Sequence, residues 1–345
     1  MALMDLKDKK ILTILDQNAR TPLSKIAKKV RLSKQVVDYR IKNMMKKNII
    51  TCFTIHCDLT KLGYTTFEVF LRFRNLGEKK EEEVIAHIVN HPFTKWVVES
   101  AGEWDLAFTL YARNLLEFES DIEELIGDIS DYVEKYQTST VLSIQDSYLK
   151  LLKKKDDFQT KPIRKQFVVD REIEKIDEID IRIIQELQEN ARVNLVKIAN
   201  KLNVSADIIR YRLKNLINKG IIVEFKTEVN FKTLGYNWYK IVLDLKRCSE
   251  SYEKKILTQI KQIPNLTYLV RCLGEWDYAL HIHAKSNEEF RKILLYVREK
   301  LGEIIFSFES LIVFTMHKSQ TLPYGVAEQL IKDMKQPVKK PRKKA

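Results

Sequence analysis

Residues 5–50 recur at residues 177–222, 172 positions later and without a gap, so this chain must make the same local structure twice. Each copy opens on Asp-x-x-Asp (Asp5 and Asp8; Asp177 and Asp180) and runs through an apolar-periodic segment to Asn-Ala-Arg (Asn18 to Arg20; Asn190 to Arg192). A short helix around Lys25 to Ala27, or Lys197 to Ala199, follows. Next come a tight turn and a longer helix beginning at Ser33 or Ser205. Three helices with that spacing make a helix-turn-helix. Thr21 and Asn194 are expected to cap the second helix, with Pro22 at a first helical position, where its missing N–H is no loss. Ser33 and Ser205 suit the N-cap of the third helix, and Asn48 and Gly220 mark its end, since these residue types tolerate the left-handed conformation of a helix stop.

Within the third helix, Val37, Ile41 and Met44 (Ile209, Leu213 and Leu216 in the second copy) recur at the spacing of one buried face. Lys34, Gln35, Asp38, Tyr39 and Lys42 are left facing outward behind Ser33, and Asp207, Arg210, Tyr211 and Lys214 behind Ser205. Arg40 and Arg212 join them as candidates for DNA contact. A major groove admits one such helix, and its N-terminal exposed side chains reach base edges. Charge supports this use. Residues 1–50 hold 13 Lys/Arg against 4 Asp/Glu, whereas residues 62–152 hold 8 against 17 and residues 177–222 hold 8 against 6. The net +13 is thus concentrated in the first copy and in a C-terminal run from Lys335 that adds six positive charges. Basic surfaces of this kind attract backbone phosphates.

Each helix-turn-helix leads into a short strand (from Ile49-Ile50; Ile221-Ile222) and then, past Leu-Gly-Tyr (62–64; 234–236), into a second domain. There Phe67, Val69, Leu71 and Phe73 alternate with Glu68 and Arg72, as in a half-buried strand. A helix (81–90), strands at 96–99 and 106–111 joined by Gly102-Glu103-Trp104-Asp105, an amphipathic helix from Leu115 to Ile129 and a strand near 141–144 complete a βαββαβ order. The second copy repeats it, with Gly274-Glu275-Trp276-Asp277 as the turn. The predicted class is α+β: two winged helix-turn-helix domains, each followed by a ferredoxin-like βαββαβ domain. The boundaries read 1–60, 61–152, a charged linker 153–176 whose Phe167 to Val169 suits a sheet edge, 177–232, 233–320, and a basic tail 321–345. Pro337 to Ala345 reads as disordered.

The Asp-x-x-Asp, Asn-Ala-Arg, Ser-capped third helix, Leu-Gly-Tyr junction and Gly-x-Trp-Asp turn together resemble those of the Lrp/AsnC, or feast/famine, transcription regulators, in both halves and over nearly the whole chain. That resemblance implies a double-stranded-DNA-binding regulator that self-associates through its sheet domains. In many members an amino-acid effector binds near the Gly-x-x-Asp loop, which maps onto Gly102, Trp104 and Asp105 and onto Gly274, Trp276 and Asp277. Two units in one chain would then form a covalent pseudo-dimer. Glu99 aligns with Arg271 and Ser100 with Cys272, so the two effector sites would differ. Lys34-Gln35-Asp38 against Ala206-Asp207-Arg210 likewise implies unlike DNA half-sites.

Competing readings are weaker. Siroheme decarboxylases resemble this family in layout and use His and Arg side chains to hold a tetrapyrrole; here Arg271, His281 and His283 are the residues that fit. A sequence-indifferent DNA coater would need only the basic surfaces. Cys52, His56 and Cys57 lack a fourth ligand, and His281 and His283 a third, so no metal is expected; the two histidines read as solvent-facing or interface residues. No catalytic constellation or cofactor loop appears. Four cysteines in 345 residues, no apolar run near the roughly 18 residues of a membrane span and a charged N-terminus point to a cytoplasmic protein.

Overall fold

The computed structural model describes residues 4–146, 166–167, 173–246 and 256–335. Helices α1 (Leu6–Gln17), α2 (Leu23–Val30) and α3 (Lys34–Lys46) form the first helix-turn-helix, and α6 (Glu178–Glu189), α7 (Leu195–Lys201) and α8 (Ala206–Asn218) the second. Their starts are set by side chains. Asp5 and Asp8, and Asp177 and Asp180, close reciprocal capping boxes. Ser33 accepts from Val36 N–H, Ser205 from Ile208 N–H and Asn194 from Val196 N–H. Asn48 and Gly220 hold the left-handed conformation expected of them, at φ 54° and 72°. Thr21 does not cap α2. Pro22 takes that position with no side-chain bond, and the Thr21 hydroxyl instead donates to the Asn18 carbonyl.

The wings are shared between the copies. Strand β1 (Ile50–Cys57) pairs antiparallel with β7 (Ile222–Val229) in one two-stranded ribbon. The ribbon also crosses over: Ala19 N–H donates to Phe225 O and Ala191 N–H to Phe53 O, so each wing is tied to the other copy's helices. One apolar core therefore runs through both helix-turn-helix units, from Ile11 and Leu15 through Phe53 and Ile55 to Ile184 and Leu216.

The sheet domains follow as β2 (Thr65–Phe73), α4 (Glu78–Asn90), β3 (Thr94–Ala101), β4 (Leu106–Ala112), α5 (Leu115–Gly127) and β5 (Val133–Asp146). The second set is β8 (Asn237–Leu245), α9 (residues 256–260), β9 (Leu266–Gly274), β10 (Tyr278–Ala284), α10 (Asn287–Leu301) and β11 (Ile305–Ser319). Between them, β6 (Gln166–Phe167) pairs with the end of β5, near the edge pairing foreseen for 167–169; Val168 and Val169 lie outside the described residues. The strand order β2-β4-β3-β11-β8-β10-β9-β5 returns to β2, because β5 pairs with both β9 and β2. The two sheets do not merely stack; their edges join into an eight-stranded antiparallel barrel, which removes the exposed edges a lone sheet would present. Alternation then decides everything about the interior. Phe67, Val69 and Leu71 face the helices outside, with Val84, Ile88, Phe118 and Ile122, while Tyr239, Ile241 and Leu243 do so in the second copy. The opposite parity faces the lumen, where Phe70, Trp104, Trp276, Val242, Ala279 and Leu311 pack as an apolar plug.

The C-terminal stretch departs from expectation. Residues 321–335, read as the start of a basic tail, include helix α11 (Tyr324–Lys335), because Leu322, Val326 and Ala327 find a place in the helix-turn-helix core. Gly325 sits where a Cβ would meet the Pro92 backbone carbonyl at 2.8 Å. Pro337 to Ala345 and most of the linker lie outside the described residues. Glu174, at the linker's end, donates its N–H to Lys61 O at 2.7 Å.

Candidate functional site

The outer faces of α3 and α8 carry the residues expected to read DNA. Tyr39 and Tyr211 are 69% and 67% exposed, and Lys34, Gln35, Lys42, Asp207, Arg210 and Lys214 are exposed beside them. Two pairs on these faces are internally balanced: Lys42 lies 2.7 Å from Asp38, and Arg210 contacts Asp207. Arg40 and Arg212 are placed differently. Arg40 Nη1 donates to Asp5 at 2.7 Å and Asp8 at 2.8 Å, and Arg212 Nη1 to Asp177 at 2.5 Å, so these arginines staple α3 and α8 to the capping boxes of α1 and α6. The paired carboxylates raise the Arg40 pKa, and they raise that of Arg212 against the cost of its burial.

Sequence reasoning missed what fixes one recognition helix against the other. Arg20 Nη1 donates to Ala191 O at 2.5 Å and Val193 O at 3.1 Å, and lies over the Phe225 ring. Arg192 Nη1 reciprocates to Ala19 O and to Thr21 O at 3.3 Å, and lies over Phe53. The Asn-Ala-Arg motif is thus a clasp between the two units. Burial lowers both arginine pKa values, and each clasp binds carbonyls of the connection between the first two helices of the opposite unit.

The Gly-x-Trp-Asp turns lie at the two barrel joints. A Cβ on Gly102 (φ 138°) would meet the Leu311 side chain at 2.9 Å, and one on Gly274 (φ 147°) would meet Thr138 O at 3.0 Å. Asp105 accepts from Phe73 N–H and Asp277 from Leu245 N–H, both at 2.7 Å. Trp104 and Trp276 are buried against Phe70 in the lumen plug. The structure engages all six residues within the fold. Ser100 donates to Trp104 O, and Cys272 is buried in the lumen wall.

Between the plug and the wing ribbon the lumen is hollow. A cavity of about 720 Å³ is lined by both copies, from Glu68, Lys95 and Trp96 to Trp238, His281 and His283. The two histidines, expected at solvent or an interface, are each 6% exposed, because they lie on the lumen face of β10. Burial drives both pKa values down, that of His283 to about 3. Glu68 and Lys240, side chains 5% and 0% exposed, meet at 2.5 Å across the lumen. They are equivalent positions 172 residues apart, as are His56 and Glu228 on the ribbon, which approach to 3.7 Å. Opposite charges at equivalent positions were the signal that an alignment of the copies holds. Among the described residues no cluster of three metal-ligating side chains occurs, and no helix is long and apolar enough to cross a membrane.

His56 predicts a pH dependence of stability. Burial alone would lower its pKa, but hydrogen bonds to Glu224 and Glu228 carry it up to about 9, with Lys226 opposing. A group protonated more readily in the folded state stabilises fully below its unfolded pKa of roughly 6.5 and loses that contribution as pH rises through about 9. His283 acts in the opposite sense, since its folded pKa is depressed; its contribution is lost as pH falls from 6.5 toward 3. Urea unfolding should therefore show a maximum near pH 6.5. His56→Gln should flatten the alkaline limb, by at most about 3 kcal/mol at one pKa unit per 1.4 kcal/mol; an unchanged limb would mean that His56 does not carry it.

Comparisons with known proteins fit this geometry. Residues 4–51 match a winged helix-turn-helix DNA-binding model and residues 176–217 an AsnC-type helix-turn-helix domain. The uncharacterised HTH-type transcriptional regulator PH1916 of Pyrococcus horikoshii is 32% identical over 133 residues, 38% of this chain and 86% of that protein. The HTH-type transcriptional regulator LrpA of the same organism is 32% identical over 140 residues, 41% of this chain and 97% of its own. Each of these matches is the length of one unit. Both units together are matched by the crystal structure of the siroheme decarboxylase NirDL, which covers 96% of this chain and 100% of its own at a TM-score of 0.63; at 16% identity it shares the fold. With two helix-turn-helix matches and relatives aligned over most of their own length, the chain belongs to the Lrp/AsnC family of helix-turn-helix transcriptional regulators.

Proposed function

We propose that the protein is a sequence-specific regulator working as a covalent pseudo-dimer, which docks α3 and α8 into successive major grooves. The observation that carries this is the reciprocal Arg20 and Arg192 clasp, which fixes two outward-facing recognition helices to one another. Lys34, Gln35, Asp38, Tyr39 and Lys42 contact one half-site; Asp207, Arg210, Tyr211 and Lys214 contact the other. Arg40 and Arg212 orient those helices through the capping boxes and reach phosphates at the helix edge. The first half-site contributes more of the electrostatic term, because its unit carries more of the positive charge.

Fluorescence anisotropy of a labelled duplex against salt tests this. Lys34→Ala with Lys42→Ala should reduce the slope of log affinity against log salt by about 2, near 0.9 for each phosphate that is no longer neutralised. An unchanged slope would remove these lysines from the interface.

A second reading is favoured by the burial of His281 and His283 in the cavity: a siroheme-decarboxylase-like enzyme holding a tetrapyrrole there. Strong visible absorbance of the purified or tetrapyrrole-titrated protein, with no DNA binding at physiological salt, would favour it over the regulator. Binding unaffected by excess random duplex would in turn exclude a nonspecific coater.

A further inference from the structure

The cavity is too large and too specifically lined to be a packing defect. Protein interiors hold few voids larger than a water molecule, whereas ligand pockets run from about 300 to 1,000 Å³; this one measures about 720 Å³. Its wall also holds polar atoms without partners. Lys240 takes one oxygen of Glu68, but Glu68 Oε2 and Thr109 Oγ1 are buried with no hydrogen-bond partner. Buried groups left in that state are costly and invite a bonded occupant.

The hydrogen bonds fix what the histidines present. Trp238 Nε1–H donates to His281 Nδ1 at 3.2 Å, so a neutral His281 carries its proton on Nε2. Thr267 Oγ1 donates its proton to the His281 carbonyl at 3.0 Å. The 3.1 Å contact between Thr267 Oγ1 and His283 Nδ1 is therefore donated by the imidazole, which leaves His283 Nε2 as an acceptor. Lys95 adds a cation to the wall. Among the described residues it has no carboxylate partner, whereas Lys240 is held by Glu68 and His56 by Glu224 and Glu228. Its ammonium lies 5.2 Å from the centroid of the Tyr111 ring, and burial lowers its pKa to about 8 against the pull of Glu68 and Asp58, so an anion in the cavity would pair with it. Trp96 and Trp238, centroids 6.1 Å apart, give the wall its flat apolar surfaces.

We infer that the cavity binds a small planar aromatic carboxylate bearing a hydroxyl or ring N–H. The carboxylate pairs with Lys95, the ring lies against Trp96 and Trp238, and the donor reaches Glu68 Oε2 or His283 Nε2 while His281 Nε2–H supports an oxygen. The counterparts 172 residues away do not repeat the site, since Thr267 stands at the equivalent of Lys95 in the second copy, and Thr109 and Tyr111 at those of the histidines in the first; one ligand binds per chain. The roof of the cavity is the β1–β7 ribbon that follows α3 and α8, so occupancy biases the spacing of the recognition helices. This last step rests on the regulator reading; binding itself does not.

The test is titration of the full chain with 4-hydroxybenzoate and indole-3-carboxylate, with propionate as the aliphatic control. It is read by tryptophan fluorescence and by thermal shift without DNA. Saturable one-to-one binding of at least one aromatic acid is expected, weakened about tenfold or more by Lys95→Met and largely kept by Lys95→Arg. Circular dichroism checks the fold of both variants. No saturable response to either aromatic acid, equal binding of propionate, no effect of Lys95→Met, or a tetrapyrrole already occupying the purified protein would each overturn the proposal. Aromatic-acid binding without DNA binding would instead overturn the regulator reading alone.

Discussion

Glu68→Lys is expected to cost about 3–5 kcal/mol or more, a large part of the roughly 5–15 kcal/mol that holds a typical domain together. The substitution sets two ammonium groups against each other inside the barrel, where Lys240 is fully buried and has Glu68 for its carboxylate. The double variant Glu68→Lys with Lys240→Glu should recover most of the loss. It will not recover all, because Lys240 also lies 4.3 Å from the Phe70 centroid and 5.5 Å from that of Trp96, interactions that a carboxylate at that position gives up. A neutral pair, Glu68→Gln with Lys240→Met, should fall near the native protein, since buried ion pairs often offer little over well-packed neutral groups. Urea midpoints of the four proteins measure this directly. If the charge swap were no more stable than the single lysine, the pair would not be a unit. The physical logic reaches back to the duplication. Two identical copies would face like charges across this lumen, whereas the diverged copies satisfy each other and disfavour pairing of like with like.

The second large effect is expected at the clasp. Arg20→Ala with Arg192→Ala removes donors from carbonyls on the opposite unit and two cation–π interactions, at about 1–3 kcal/mol for each arginine. Lysine should substitute only in part, because an ammonium can donate to the carbonyls but lacks the planar guanidinium face that lies over Phe225 or Phe53. The larger consequence lies in DNA binding. With the two helices no longer held in register, affinity for a full site should fall by about 10- to 100-fold while affinity for random duplex changes little, since the lysines proposed to contact phosphates remain. Competition titrations on both kinds of DNA separate the two terms. An equal loss on both would mean that the clasp serves stability alone.

What was legible in the sequence was local. The serine caps, the left-handed stops and the alternation of Phe67 to Phe73 depend on residues a few positions apart, and the structure follows them closely. What was hidden depends on packing between copies. Barrel closure needs β5 to pair with β9 of the other unit, and the ribbon needs β1 to find β7; no periodicity within either copy records those partners. The histidines of β10 were misplaced for the same reason, since alternation shows that they share a face and not that the face lines a lumen. Helix α11 was hidden behind the charge of the tail that follows it, although Val326, Ala327, Leu330 and Ile331 carried its apolar face. At the clasp the arginines were visible as part of a motif, and only the crossed wings reveal that each serves the other unit.

Because the barrel is shared, half-chains leave it open, and the decisive measurement uses the full chain. Selection of bound duplexes from a random pool at about 0.15 M salt should be run on the native protein and on Arg210→Ala with Tyr211→Ala. A regulator reading DNA with both units should return a consensus of two unlike half-sites for the native protein and lose one of them, with the other intact, in the variant. Unselective binding by both proteins, or a consensus that the α8 substitutions leave untouched, would contradict it.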